Sequence, residues 1–294
     1  MSILTDFALP APDSSYLNET HPTAEYMRGQ GGKKRRQVRL WGRCVNDGTA
    51  YGDIWEALAN ASTAPIVRAL PAIAKTIQVC SSQAADAAGQ AGARTIRVDY
   101  LDLAGAEHTA DYTLNGVTAV ANATLKDGAA FAAPIADCWR VQDAYVLTVG
   151  TVGGANAGKI SINDSTQTFT GGVPVTGSLI YGWIEIGYNV SHHGFYTVPA
   201  GYRAQIKQKL FGCIDASATV KYGKFQASIT DAPTGLNQTV AIAGDSSNSG
   251  GTTFPMAFET IIDEKCDIRL QGIGLTGSTS EMIAIIDIVV YPKV

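Results

Sequence analysis

From about residue 65 onward the apolar residues of this chain recur at every second position, and that period leaves little room for anything but β-sheet. In Thr95-Ile96-Arg97-Val98-Asp99-Tyr100 the apolar Ile96, Val98 and Tyr100 share one face. Ala110, Tyr112 and Leu114 repeat the pattern after a Gly-containing connection, which predicts a hairpin with one wet face. Asn115-Gly116 is a further turn signal, since both residues tolerate positive φ. Val141, Tyr145, Leu147 and Val149 supply another strand, and Ile160 with Ile162 a short one.

A second series begins near Ile180. Phe195-Tyr196-Thr197-Val198 runs into Pro199-Ala200-Gly201, where proline presets φ and glycine closes the turn. Residues 203–210 alternate with a basic face, and later strands are expected at 220–229, 238–243, 267–274 and 282–291. Met282-Ile283-Ala284-Ile285-Ile286 is almost continuously apolar, which suits a strand covered on both faces. Helix signals are weak: residues 53–61 could form two turns behind Asp53, while the alanine-rich stretch 82–92 is broken by Gly89 and Gly92 and reads as a loop.

About six strands before residue 178 and seven or eight after it predict a mainly β chain with two β-sandwich, jelly-roll-like modules, at residues 65–177 and 178–294. Residues 1–64 are expected to form an extended basic arm with a short helix. No exact short repeat of the kind a solenoid or propeller carries is present.

Charge is sparse and unevenly placed. Charged residues make up 16% of the 294 positions, against roughly 25% in an average globular chain, while 46% are hydrophobic, which excludes a disordered chain. Arg28, Lys33, Lys34, Arg35, Arg36, Arg39 and Arg43 form a stripe without a single acid, next to a remainder that is net negative. The stripe reads first as a partner-binding strap that lies on an acidic neighbouring protein. Nucleic acid is the weaker reading, because only Trp41 and Tyr51 offer stacking nearby and the overall charge is −4. A merely solvated run is the third. No apolar run approaches the roughly 20 residues of a membrane span, so no membrane contact is expected, and Met1–Asp6 carries no secretory signal. The five cysteines, Cys44, Cys80, Cys138, Cys213 and Cys266, are odd in number and widely spaced, which predicts free thiols, mostly buried.

Chemistry-bearing patterns are few. His192-His193 would point to opposite faces of a strand, and no third ligand lies close in sequence, so no metal and no other cofactor is expected. No Gly-x-Ser-x-Gly elbow is present, and the glycine-rich tract 150–158 leads into a strand pattern rather than a helix, so it is a connection and not a phosphate cradle. The chain is read as a non-enzyme.

Three stretches resemble a group of tailed-bacteriophage virion structural proteins. They are Ser81-Ser82-Gln83-Ala84-Ala85-Asp86 through Ala93-Arg94-Thr95-Ile96-Arg97-Val98 and on to residues 112–120; Tyr196-Thr197-Val198-Pro199-Ala200-Gly201-Tyr202-Arg203-Ala204; and Glu264-Lys265-Cys266-Asp267-Ile268-Arg269-Leu270 with its closing apolar strand. The resemblance covers residues 76–294. It implies a non-enzymatic role in the virion, made in the cytoplasm of a bacterial host, with other virion proteins as partners (portal, adaptor, tail or capsid protein). The expected place is the head–tail junction or the tail, as an adaptor, collar or fibre-anchoring part. A capsid decoration or cement protein on the head is the alternative, and a glycan-binding host-recognition protein the third reading. A homo-oligomer is expected, because sheets with open edges need cover.

Overall fold

The computed structural model describes residues 36–45, 51–55, 67–68, 70–151, 154–175, 178–192, 194–214, 222–246, 252–255, 261–274 and 281–293. The described residues contain 21 strands and no helix. The first eight are β1 (Arg36–Val45), β2 (Gly52–Asp53), β3 (Val67–Arg68), β4 (Ile77–Ser81), β5 (Ala93–Leu101), β6 (Glu107–Thr113), β7 (Leu125–Lys126) and β8 (Ala129–Ala130). Then come β9 (Arg140–Val149), β10 (Ile160–Asp164), β11 (Phe169–Thr170), β12 (Val173–Pro174), β13 (Leu179–Ile184) and β14 (Phe195–Thr197). The chain closes with β15 (Tyr202–Ile214), β16 (Tyr222–Asp231), β17 (Asn237–Ser246), β18 (Thr252–Pro255), β19 (Ile261–Ile262), β20 (Cys266–Gly274) and β21 (Glu281–Pro292).

These strands form four larger sheets and one two-stranded ribbon, and all pairings but β3 with β13 are antiparallel. Sheets of four or five strands give the molecule a propeller-like look that the lack of a repeat did not predict. Their connectivity mixes distant segments, however: one sheet runs β1-β21-β15-β18, so the first described strand pairs with the last.

Two buried apolar clusters organise the sheets. The first draws on β4, β10 and β13 from one sheet and on β5, β6 and β9 from another, with Ile77, Ile96, Val98, Tyr112 and Ile162 fully enclosed. The second draws on β1, β15 and β21 from one sheet and on β16 and β20 from another, with Ile206, Phe211, Phe225, Leu270 and Ile286 enclosed. The hairpin expected from alternation forms as β5 and β6, with Ile96 opposite Tyr112 and Val98 opposite Ala110. Its turn is Asp102–Ala106, with Gly105 at φ 86°, and the Asn115-Gly116 turn follows β6, with Gly116 at φ 60°.

Three expectations need correcting. Residues 36–45 are not extended arm but a strand, β1, paired along its whole length with β21. Val38, Leu40 and Gly42 supply an inward face, and Gly42 is there because a Cβ would lie 2.8 Å from the Ile54 carbonyl oxygen. Asp53, expected to start a helix, ends β2 and binds Arg269; residues 56–61 of that expected helix lie outside the described residues, as do residues 1–35 of the arm. The expected boundary at residue 178 falls just before β13, which pairs with β10 and adds Tyr181 and Ile184 to the first cluster.

Alternation also slips in several ladders, most visibly in β15. A bulge between Ile206 and Gln208 shifts the register of β15 against β21, so Phe211 enters the core while Leu210 is only half-buried. One extra residue flips every later side chain to the other face.

Cys80, Cys138 and Cys266 are free thiols, the first two buried. Burial pushes the Cys80 and Cys266 thiols up to about 11, and so keeps them protonated and unreactive. Cys44 and Cys213 both sit opposite Met282, on the two strands flanking β21. Two sheet spacings put their Cα atoms roughly 10 Å apart, beyond disulfide reach. Adding a reducing agent should therefore leave the melting temperature unchanged; a drop of several degrees on reduction would reveal a bridge.

Candidate functional site

Of the seven cations of the basic stripe, the three that are described do not share one face. Arg28, Lys33, Lys34 and Arg35 lie outside the described residues, while Arg36, Arg39 and Arg43 are on β1. Side chains on a strand alternate, so Arg36 points to the opposite face from Arg39 and Arg43. The Arg36 guanidinium turns inward: it donates to the Tyr196 hydroxyl at 2.7 Å, pairs with Glu107 and lies 5.6 Å from the centre of the Tyr202 ring. Arg39 makes a two-pronged bond to Asp287, at 2.7 and 3.0 Å, yet its side chain remains 64% exposed. Arg43 is half-buried.

Arg36 and its neighbours enclose a cavity of about 480 Å³ between the two sheet pairs. β1 supplies Arg36, Arg39 and Trp41; β5 and β6 supply Asp99, Tyr100, Glu107 and His108; β9 supplies Gln142 and Asp143; Ser191, His192 and Tyr196 close it. Trp41 packs on His192 with ring centres 3.7 Å apart. Asp99 and Asp143 stand directly opposite each other in the β5–β9 ladder. Burial, then the nearby Asp143 charge, push the Asp99 carboxyl up to about 6. Burial likewise raises Asp143, against the hydrogen bonds it accepts from the Ser191 hydroxyl (2.6 Å) and the Ala144 amide (2.8 Å).

At the rim, His108 sits between two carboxylates, with Nε2 3.1 Å from Asp102 and Nδ1 3.1 Å from Asp127. Burial works against its charge, but these two hydrogen bonds outweigh burial and raise its pKa.

Behind the cavity a buried ion pair joins the two halves. Arg140 of β9 meets Asp267 of β20 at 3.0 and 3.2 Å, with both side chains about 5% exposed or less. Asp267 also accepts from the Thr197 hydroxyl at 2.6 Å, and Arg140 donates to the Pro71 carbonyl and lies 4.1 Å from the Trp139 ring centre. The Thr197 amide donates to Gln142 at 3.0 Å, and the Ala200 amide to the Gly105 carbonyl at 2.8 Å. The halves are thus joined by direct protein–protein hydrogen bonds.

Sequence reasoning passed over Asp99, Glu107, Asp143, Arg140 and Asp267. The one available signal was the polar face of the predicted strand 95–100, which placed Arg97 and Asp99 together as a solvent side; Asp99 lines the cavity instead, and Arg97 pairs with Asp111. Of the histidines, His21 and His193 lie outside the described residues, and no cluster able to hold a metal occurs among the described residues.

Fold and site together define a mainly β protein of antiparallel sheets with a charged cleft between two cores. No family model matches the chain, and no curated protein matches it. Among solved structures it is similar to a chain of the T=1 particles derived from infectious bursal virus, at 12% identity over 88% of this chain and 72% of that one, with a TM-score of 0.20. A structure of the infectious bursal disease virus Gx strain gives 10% identity, 90% and 78% coverage and a TM-score of 0.19. Scores this low carry no assignment of fold or role.

Proposed function

We propose that this chain is a structural, non-enzymatic part of a tailed-bacteriophage virion, built as two β-sandwich modules and placed at the head–tail junction or on the tail. The observation that supports it most is the joint. A buried arginine–aspartate pair with its own hydroxyl, carbonyl and aromatic partners locks two separate cores at a fixed angle, as a part that transmits load between neighbours requires. The sequence resemblance over residues 76–294 supplies the kind of assembly. β17 is the edge strand of its sheet, with Asn237, Gln238 and Thr239 exposed, and an open edge favours a homo-oligomer in which a second copy or another virion protein covers it.

The partner-binding strap, in this reading, is Arg28, Lys33, Lys34 and Arg35, with Arg39 continuing it onto the sheet. Arg36 is excluded, because it holds Tyr196 and Glu107. Each exposed ion pair contributes up to about 1 kcal/mol, so docking depends on several acting together. Changing Lys33, Lys34 and Arg35 to Ala should leave melting unchanged and lower incorporation into particles, with a larger loss at high salt. Incorporation at the wild-type level in both low and high salt would contradict the strap. Capsid decoration is the second reading, and copy number per particle separates the two: a few copies around the tail axis, or hundreds over the head.

A further inference from the structure

We propose that the cleft between β1, β5, β6 and β9 is a proton-operated joint, tight in mild acid and loosened as the pH rises to neutral and above. Its floor is the Asp99–Asp143 pair, two carboxylates directly opposite across an antiparallel ladder and both lining the cavity. Like charges in that position repel. The Asp99 Oδ1 atom is buried and accepts no hydrogen bond, whereas Asp143 is served by Ser191 and Ala144. The cations nearby favour the Asp99 charge only from a distance, because each is bonded to another acid. Arg97, next along β5, grips Asp111 at 2.6 and 2.8 Å, and Arg36 on β1 grips Glu107 and Tyr196. Glu107 on β6 adds a third negative charge, Tyr145 on β9 is neutral, and His192 faces Asp143. A proton on Asp99 removes the repulsion.

The rim makes the same demand by geometry. Both ring nitrogens of His108 face carboxylate oxygens, which can only accept, while Lys126 on β7 opposes the charge of the ring. A neutral imidazole has one N–H and can serve one of them; the protonated ring serves both.

The signs agree. Asp99 and His108 both have folded-state pKa values above the ordinary ones, so each stabilises the folded joint at low pH, and the contribution is lost as pH rises through the folded value. For Asp99 that loss begins at the ordinary carboxyl value of about 4 and is complete just above the folded value of about 6. Asp102 and Asp127 are lowered, burial being outweighed by backbone bonds from Ala106 and Thr109 and by His108, so their contribution is lost in the opposite direction, as pH falls through the acid range. Stability should peak at about pH 4, where the contributions of Asp102 and Asp127 are complete and that of Asp99 begins to be lost.

The test is the melting temperature of the full chain at about pH 4 and about pH 8, with amide exchange along β1 and β9 as the local readout. Wild type should melt several degrees lower at the higher pH, with faster opening of β1 and β9. Asp99→Asn, which keeps the shape and removes the charge, should melt above wild type at the higher pH and show a flatter profile. His108→Gln should lose the remaining slope. An Asp99→Asn profile parallel to wild type would overturn the proposal. So would a carboxyl resonance of Asp99 that titrates in the wild-type protein at the ordinary value of about 4.

Discussion

Removing either partner of the Arg140–Asp267 pair should be among the most damaging single changes in this protein. Asp267→Ala leaves a guanidinium stranded in a site where Arg140 is 5% exposed, and it strips the Thr197 hydroxyl of its acceptor. Breaking a buried pair in this way costs about 3–5 kcal/mol, because an uncompensated charge remains. At roughly 2–4 °C per kcal/mol for a domain of 150–250 residues, the melting temperature should fall by about 10 °C. Replacing both partners together, Arg140→Met with Asp267→Leu, should recover much of the loss, since buried pairs are often matched by apolar packing. Thermal unfolding of the two single variants and the double variant measures this directly. A single variant within about 1 kcal/mol of wild type would show that water reaches the joint.

Asp86→Ala should rival that effect inside the first sheet pair. Asp86 is fully buried and accepts four hydrogen bonds, from the Ser81 hydroxyl at 2.6 Å and from the amides of Ala93 (2.7 Å), Ala157 (2.8 Å) and Gly158 (2.8 Å). It ties the end of β4, the start of β5 and the glycine-rich connection into β10 to one carboxylate. Truncation leaves these donors without a partner in a dry site, at about 1–3 kcal/mol for each that finds no substitute. A loss of about 3–5 kcal/mol follows if water replaces only some of them. Asp86→Asn is the sharper control. Its amide nitrogen must face either an N–H or the hydroxyl, so it should recover only part of the loss. Chemical denaturation of both variants gives the comparison, and full recovery by Asn would mean that charge plays no part.

The sequence disclosed those parts of the molecule whose side chains alternate without interruption. β5 and β6 show their register in Ile96, Val98, Tyr100, Ala110 and Tyr112, and β21 stands out by its apolar run, although its positions alternate between buried and half-buried rather than being covered equally. β1 was hidden by its own charges. Arg36, Arg39 and Arg43 look like a stripe in one dimension, while Val38, Leu40 and Gly42 between them carry the strand's inward face. The bulge at residue 207 was equally hidden, because nothing local distinguishes a slipped alternation from a regular one until Phe211 is found inside. The cleft was out of reach for a different reason. Asp99 and Glu107 become neighbours of Arg36 only when β1, far away in sequence, pairs with the final strand, and the Arg140–Asp267 bond spans 127 positions. Long-range pairing of this kind leaves no periodic trace.

Imaging purified phage particles that carry a labelled form of this chain, with peptide counting of the same particles, tests the proposed role most directly. A structural part of the tail or neck predicts density at the head–tail axis, a fixed symmetric copy number, and two rigid lobes held at the same mutual angle in every copy. Particles that lack the chain, or carry it in variable and substoichiometric amounts, would contradict it.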